Sequence, residues 1–503
     1  MVNLKTIEEQ YFVRRARLRT LVDYVREVGV TTVFRKIVSR MGESLRNAKY
    51  MSVGVGRVME SDPTSGLPSG SMVAFIVASG PSWSERIVVH RAFCRRLAGS
   101  EARGRRVVYT IGKQDCPEIG GLLAVAGWDP EGGANAPSAA PDWLTVHSDW
   151  LSALHARTTG GLEFKLPVST RTTTRTDADG ARPLARREGK KSLAIVGFGN
   201  YVKTVALPEL RRRLDVCRVY ELDPLMIPAH RVSWEWEIGP GPKNGEELAD
   251  AYLLAGYHHS HAPLAAQVLA VGRWSIIEKP IATTPTQLKV LRSAAQINSR
   301  IISCFQKRYD EFTSRAIEDL TGGEEQPISY SCVVYEVPLP RLHWYTWPSS
   351  GSRLLSNGCH WIDHFLWLNP RVDLSSLTVA AGAGGALHVW IELENRATFS
   401  MMLTEQGSDR LGLQDIVDLR AGLRTVRIRN STHYEFESSG GTKSARQLRM
   451  APYRRMYRQI AERIVQNGAG DDLDHTFRSA ATVLRAEEEY NRVRAAKVHT
   501  SEF

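Results

Sequence analysis

KSLAIVGFGNYVKTVALPEL, residues 191 to 210, decides the fold. An apolar run, Leu193 to Val196, leads into Gly197-Phe198-Gly199, and a helix-like segment follows. Roughly twenty residues further on, VCRVYELDP (216–224) puts Glu221 at the end of a second apolar run. WSIIEKP (274–280) closes the unit with Glu278-Lys279-Pro280. A strand, a glycine turn, a helix and an acidic strand end are the parts of a Rossmann dinucleotide-binding half.

Each part has a physical reason. Gly197 permits a tight turn directly after the strand, and Gly199 lets the backbone approach a pyrophosphate lying on the N–H groups of the helix start. Phe198, Asn200 and Tyr201 complete that turn and join the cofactor-binding set. Glu221 is placed to accept from the adenosine ribose hydroxyls. That tilts the NAD or NADP choice toward NAD, because a carboxylate there repels a 2′-phosphate. Val202 occupies the third glycine position, so helix and strand pack less closely there.

The loop GYHHSHAP (256–263) gathers His258, His259 and His261. Their spacing matches no compact helical ligand pair, and no carboxylate or cysteine completes a set, so no metal is expected. A loop at the carboxyl end of a parallel strand faces the cofactor crevice, which makes His258 and His261 cofactor candidates.

Composition suits a globular enzyme of two or three domains over 503 residues. The charged N-terminus, MVNLKTIEEQYFVRRARLRT, has no signal-peptide character, and no apolar run approaches a membrane span. The stretch Leu377 to Ile391 reads as two strands joined by a turn. Six scattered cysteines argue for free thiols in a reducing, cytoplasmic setting. Residues 1–190 carry 28 Lys and Arg against 19 Asp and Glu, so the basic surplus sits mainly there. With no nucleic-acid-binding motif beside it, this is read as a solvated face, and no nucleic-acid or membrane partner is expected.

The chain divides at STRTTTRTDADGARPLARREGK (169–190), a linker without apolar periodicity. Before it, residues 1–168 carry helical spacing near Tyr11 to Leu45. Short alternating runs such as MSVGVGRVMES and GSMVAFIVAS then suggest a small β-rich module. After a Rossmann domain over 191–306, residues 307–503 alternate as antiparallel strands (SCVVYEVPLP, LHVWIELE, RATFSMMLT, QDIVDLRAG, RTVRIRNS). They end in two amphipathic helices. The expected class is α/β: a Rossmann domain plus an α/β domain with an open, mostly antiparallel sheet, preceded by the β-rich module.

HSHAPLAAQVLAVGRWSIIEKP (259–280) and GSRLLSNGCHWIDHFLWL (351–368) together resemble the Gfo/Idh/MocA oxidoreductases, over about three-fifths of the chain. The resemblance implies that Lys279 sits beside the nicotinamide and the reacting carbon, that Pro280 fixes the turn, and that His360 is the general acid/base. It further implies a sugar-like substrate and a homo-oligomer formed through the C-terminal sheet. Hydride transfer at a carbinol carbon needs proton transfer at its oxygen, for which an imidazole and a lysine are suited. Where many members have an aspartate four residues before the histidine, this chain has Ser356, followed by Asn357. Asp363, one turn after His360, could pair locally. Residues 18–61 and LHWYTWPSSGSRLL (342–355) resemble oxidoreductases that fuse a GroES-like alcohol dehydrogenase module to this family. Here that module is shortened and lacks a zinc set. Tyr309, His343, Trp344, Asn357 and Asp363 are the substrate candidates.

The expected function is an NAD(P)-dependent dehydrogenase or reductase acting on a small molecule, a sugar-like secondary alcohol or ketone. Reduction of an imine in natural-product metabolism is the alternative within the same fold. A nucleotide-binding scaffold without turnover is the alternative outside it.

Overall fold

In the computed structural model the described residues are 189–221, 234–238, 241–242, 247–321, 326–339, 345, 348–408 and 411–500. Short N-terminal stretches at 25–30, 33–34, 52–60, 72–77, 94–96 and 163–165 are described as well. His343 and Trp344, the linker up to residue 188 and most of the N-terminal region lie outside them. Four strands are described there: β1 (Ser52–Glu60), β2 (Met72–Val77), β3 (Cys94–Arg96) and β4 (Glu163–Lys165). They form one sheet in the order β3-β2-β1-β4, antiparallel except where β1 meets β4. β1 and β2 lie where the alternating runs read as strands.

The chain then builds a six-stranded, wholly parallel sheet. Its strands are β5 (Ser192–Val196), β6 (Asp215–Glu221), β7 (Glu235–Ile238), β8 (Ala251–Leu254), β9 (Trp274–Ile277) and β10 (Ile301–Ser303). The spatial order β10-β9-β8-β5-β6-β7 reverses direction between β5 and β8. That is the doubly wound dinucleotide-binding order, and its crevice opens at this switch point. β5, β8 and β9 are buried along their whole length, as expected of strands covered on both faces.

One face of this sheet is covered by α2 (His261–Ala270) and α3 (Pro285–Ile297) and merges with the core of the second domain. The other face is covered unusually. The helix after the glycine turn is short, a π-turn at Val202–Ala206 running into α1 (Leu207–Leu210). The remaining apolar surface is closed by α6 (Ala451–Val465), a helix from far along the chain. Its Met456, Tyr457, Ile460, Ala461 and Ile464 pack with Leu193, Ile195 and Leu210. Arg458 of α6 bonds the buried Glu209 at 2.8 Å, and Glu462 bonds Arg213 at 2.7 Å, which holds α6 against α1.

The second domain follows α4 (Glu311–Thr321). Its strands are β11 (Ser329–Tyr335), β12 (Leu374–Ala381), β13 (Leu387–Leu393), β14 (Thr398–Thr404), β15 (Gln414–Ala421), β16 (Arg424–Arg429), β17 (His433–Ser438) and β18 (Gly441–Arg446). The order is β12-β13-β14-β11-β15-β16-β17-β18, antiparallel everywhere except β11 beside β14. The expected hairpin is β12–β13, turned by Gly384 and Gly385 at positive φ. α5 (Cys359–Leu368) and α7 (Leu473–Thr500) pack between this sheet and the Rossmann domain. No helix among the described residues is long and apolar enough to cross a membrane.

Candidate functional site

The glycine turn is shaped for a nucleotide. Gly197 has φ +86°, and a Cβ there would lie 2.6 Å from Ala255 O and from Gly256, so only glycine fits between β5 and β8. A Cβ on Gly199 would meet nothing within 4 Å, which leaves the approach to the helix start open. Glu221 Oε2 accepts from the Phe198 N–H at 2.6 Å. The carboxylate at the end of β6 is thereby fixed beside the turn, where a ribose reader stands. Among the described residues these parts fit a dinucleotide, and the turn is held by contacts that do not need it.

The loop after β8 is clamped. His261 has Nδ1 2.8 Å from Pro280 O and Nε2 3.2 Å from Gly256 O, tying the glycine loop to the Lys279–Pro280 segment, whose peptide is cis. Burial lowers its pKa to about 4 despite those carbonyls. His258 Nδ1 lies 3.2 Å from Ser350 O, and its ring lies 4.9 Å from that of Tyr345. Both histidines thus hold the floor of the crevice through backbone carbonyls and a ring contact. Among the described residues no three His, Cys, Asp or Glu side chains gather as a metal site.

At the end of β9 the chain alternates sides. Glu278 turns toward α6: it is buried, accepts from the Tyr457 hydroxyl, and burial raises its pKa. The Tyr457 hydroxyl also lies 3.1 Å from the Tyr201 hydroxyl, so the EKP segment, the glycine turn and α6 share one polar contact. Lys279 turns the other way. Its Nζ donates to Ser356 O at 2.8 Å and lies 5.9 Å from the Tyr345 ring centroid. Burial pulls its pKa down, but Tyr345, Cys359 and Glu278 outweigh that and hold it above the usual lysine value, so the amine stays charged.

Ser356 belongs to a π-turn, Leu354–Gly358, that precedes α5 and delivers His360 on its first turn. Insertions of this kind recur at functional sites because they push backbone carbonyls off the helix ladder. Here the Ser356 carbonyl is left for Lys279. His360 is 5 % exposed, its ring is edge-on to Phe305 and Trp361, and Nδ1 is buried without a hydrogen bond. Burial, then the charges of Lys279 and Lys307, hold its pKa well below the usual imidazole value. Ser356 Oγ is also buried and unbonded. Asn357 Nδ2 donates to Glu336 Oε1, while Glu336 Oε2 is buried without a hydrogen-bond partner. Buried polar atoms are nearly always bonded, and here three without a hydrogen bond lie around a charged lysine.

The remaining substrate candidates lie elsewhere. Asp363 is 0 % exposed and saturated: Arg308 bonds both oxygens (2.9 and 2.5 Å), Ser479 Oγ donates at 2.7 Å and His475 Nε2 lies at 3.2 Å. Against the cost of burial, Arg308 holds its pKa well below the ordinary carboxylate value. The sequence made Asp363 a substrate candidate; in the structure both of its oxygens are engaged by contacts within the chain. Tyr309 accepts from Arg463 at 3.2 Å through its hydroxyl, and Arg455 bonds its carbonyl at 3.0 Å, which ties it to α6. Of the aromatic segment 342–347, Tyr345 alone is described, and it stands between Lys279 and His258.

No protein-family model and no curated protein matches the sequence. Solved structures do match in fold. A dehydrogenase from Chromobacterium violaceum superposes with a TM-score of 0.51 at 16% identity, covering 62% of this chain and 97% of its own. An oxidoreductase from Erwinia carotovora atroseptica gives 0.50 at 15% identity over 60% of this chain and 98% of its own. An oxidoreductase from Agrobacterium radiobacter, crystallised with NAD+, L-tartaric acid and magnesium, gives 0.50 at 12% identity over 60% and 96%. About three-fifths of the chain therefore shares the fold of these oxidoreductase and dehydrogenase structures.

Proposed function

We propose that the protein is an NAD(P)-dependent oxidoreductase that interconverts a secondary alcohol and a ketone on a polar, sugar-like small molecule. The carrying observation is the charged Lys279 amine beside the unbonded Ser356, His360 and Glu336 atoms, in a chain that also forms the Gly197–Glu221 turn. When bound, the nicotinamide supplies hydride chemistry. The chain's own residues bind, orient and manage the proton. Lys279 is a donor that steadies negative charge developing on the substrate oxygen. The neutral His360 ring, Ser356 and Asn357 offer hydrogen bonds to further hydroxyls. Glu221, fixed by the Phe198 amide, favours NAD over NADP.

Fold similarity to a complex holding NAD+ and a hydroxy acid agrees with this reading at the level of architecture only. A sheet-mediated homo-oligomer belongs to the same proposal. Val333, Ile416 and Trp390 are about half exposed, and Val333 pairs with Ile416 across β11 and β15.

The test is titration of the purified protein with NADH and NADPH by cofactor fluorescence and thermal shift. Tighter saturable binding of NADH is expected. No binding of either reduced or oxidised cofactor would remove the oxidoreductase reading.

A further inference from the structure

The resemblance assigns the acid/base role to His360 and expects an aspartate where Ser356 stands. The fold brings a carboxylate to this place from another element. Glu336 follows β11 directly, with its amide bonded to Thr404 O at 2.9 Å, so the strand end fixes where its side chain starts. Asn357 holds Oε1, and Asn357 adjoins the residue whose carbonyl takes the Lys279 amine. Oε2 is buried and makes no hydrogen bond; Arg353 Nη1 stands 3.6 Å away and lies 3.1 Å from Glu405.

We infer that Glu336 exchanges the proton at the substrate oxygen, with Lys279 steadying that oxygen and Asn357 aiming the carboxyl. The inference rests on the oxidoreductase reading. In oxidation the hydroxyl proton passes to Glu336, the O–H pair becomes the C=O π bond, and the C–H pair leaves as hydride to the nicotinamide. Reduction reverses each transfer.

His360 is poorly placed for this task. Its ring lies in the field of two cations, Lys279 and Lys307, and both oppose a proton there. The groups facing Glu336 come from three directions: Lys279 after β9, Arg353, Asn357 and Cys359 around the π-turn, and Glu405 after β14. Burial favours the neutral acid, Asn357, Arg353 and Lys279 favour the anion, and burial wins, raising the carboxyl above its usual value. A group poised between its two forms is what general acid–base work requires.

The test compares wild type, Glu336→Gln and Glu336→Asp. Each is assayed for NADH binding and for nicotinamide-dependent turnover of a panel of monosaccharides, polyols and hydroxy acids. Carbon-13 NMR of glutamate-labelled protein with NADH bound accompanies the assays. Glu336→Gln is expected to bind NADH within about twofold of wild type and to lose kcat by about 10²–10³-fold with KM little changed. It also loses one limb of the pH profile, which Glu336→Asp restores. In the NMR spectra, the carboxyl signal missing from Glu336→Gln is expected to titrate above the ordinary glutamate range, as its burial implies.

A Glu336→Gln enzyme with wild-type kcat and pH profile would overturn the inference. So would a Glu336 signal that titrates at or below the ordinary glutamate value, even if no compound in the panel is turned over. Failure to bind either cofactor sinks the oxidoreductase reading and this inference together. NADH binding with a Glu336 that titrates at or below the ordinary glutamate value sinks the inference alone.

Discussion

Two buried polar clusters lie on the π-turn and helix from Leu354 to Leu368, and they differ in one respect. Around Asp363 every charge is answered: Arg308, His475 and Ser479 surround the carboxylate, and Arg308 also reaches Asp471, which Arg463 bonds at 3.0 Å. Around Ser356 and His360, one turn earlier, a hydroxyl oxygen, an imidazole nitrogen and a Glu336 oxygen are buried without a hydrogen bond, the last 3.6 Å from Arg353 Nη1. The first arrangement is what a core needs, since a half-satisfied buried ionic network is costly. The second leaves hydrogen-bonding capacity free, as the proposed substrate site requires. Burial of a polar residue therefore does not by itself identify a site.

The sharpest way to break this contrast is at Lys279. Lys279→Ala is expected to lower kcat by about a thousand-fold while NADH affinity stays within a few fold. Single-turnover kinetics beside a fluorescence titration separates the two, and retained turnover would take Lys279 out of the mechanism.

The Asp363 cluster should respond in stability instead. Asp363→Ala strands Arg308 and is expected to cost about 3–5 kcal/mol in urea unfolding. Ser356→Ala, which removes an unbonded hydroxyl, should change stability by less than about 1 kcal/mol. Equal losses would erase the distinction.

Acid sharpens it further. His258, His261, His360 and His364 are buried with pKa values below the ordinary 6.5, His261 at about 4 and His364 at about 3, with burial the largest cause in each. Folded-state values that are depressed mean the unfolded chain takes up protons first. Stability should then fall as pH drops from 6.5 toward 4, by about 1.4 kcal/mol per pH unit for each histidine that stays neutral. Asp363, held low, keeps its contribution through that window and loses it only at stronger acidity. Denaturant midpoints that do not move between pH 7 and 5 would contradict this.

The smallest expected effect is at the nucleotide turn. Glu221→Ala should weaken NADH about tenfold and leave NADPH nearly unchanged. Equal weakening would show that Glu221 braces the turn through Phe198 and does not read the ribose.

What could be read in the sequence was local. Gly197, Glu221 and the β12–β13 hairpin announce themselves through patterns a few residues long, and the strand-to-helix order of 191–280 follows from them. β18 went unread because it is exposed nearly throughout, so no apolar alternation marks it; β17 does alternate, with Tyr434 and Phe436 buried, but only over six residues. Asp363 read as a substrate candidate because a carboxylate on a helix looks the same in sequence whichever way it faces. Its partners Arg308 and His475 lie 55 and 112 residues away. Glu336 carried a faint signal, an acid at the end of an apolar strand just before VPLP, but its neighbours Lys279 and Asn357 are brought to it only by tertiary packing. The placement of α6 had no local signal, since an amphipathic helix does not state which surface its apolar stripe will meet.

That helix has a consequence for how the chain is made. Synthesis runs from the N-terminus, so β5 to β10 leave the ribosome well before α6 does. Until Met456 and Ile460 arrive, Leu193 and Ile195 have only the short π-turn and α1 to cover them on that face. The nucleotide sheet therefore waits, one side wet, for nearly the whole second domain to be translated. A nascent chain arrested before residue 451 exposes an apolar surface, the kind of species that chaperones hold and that aggregates when they do not.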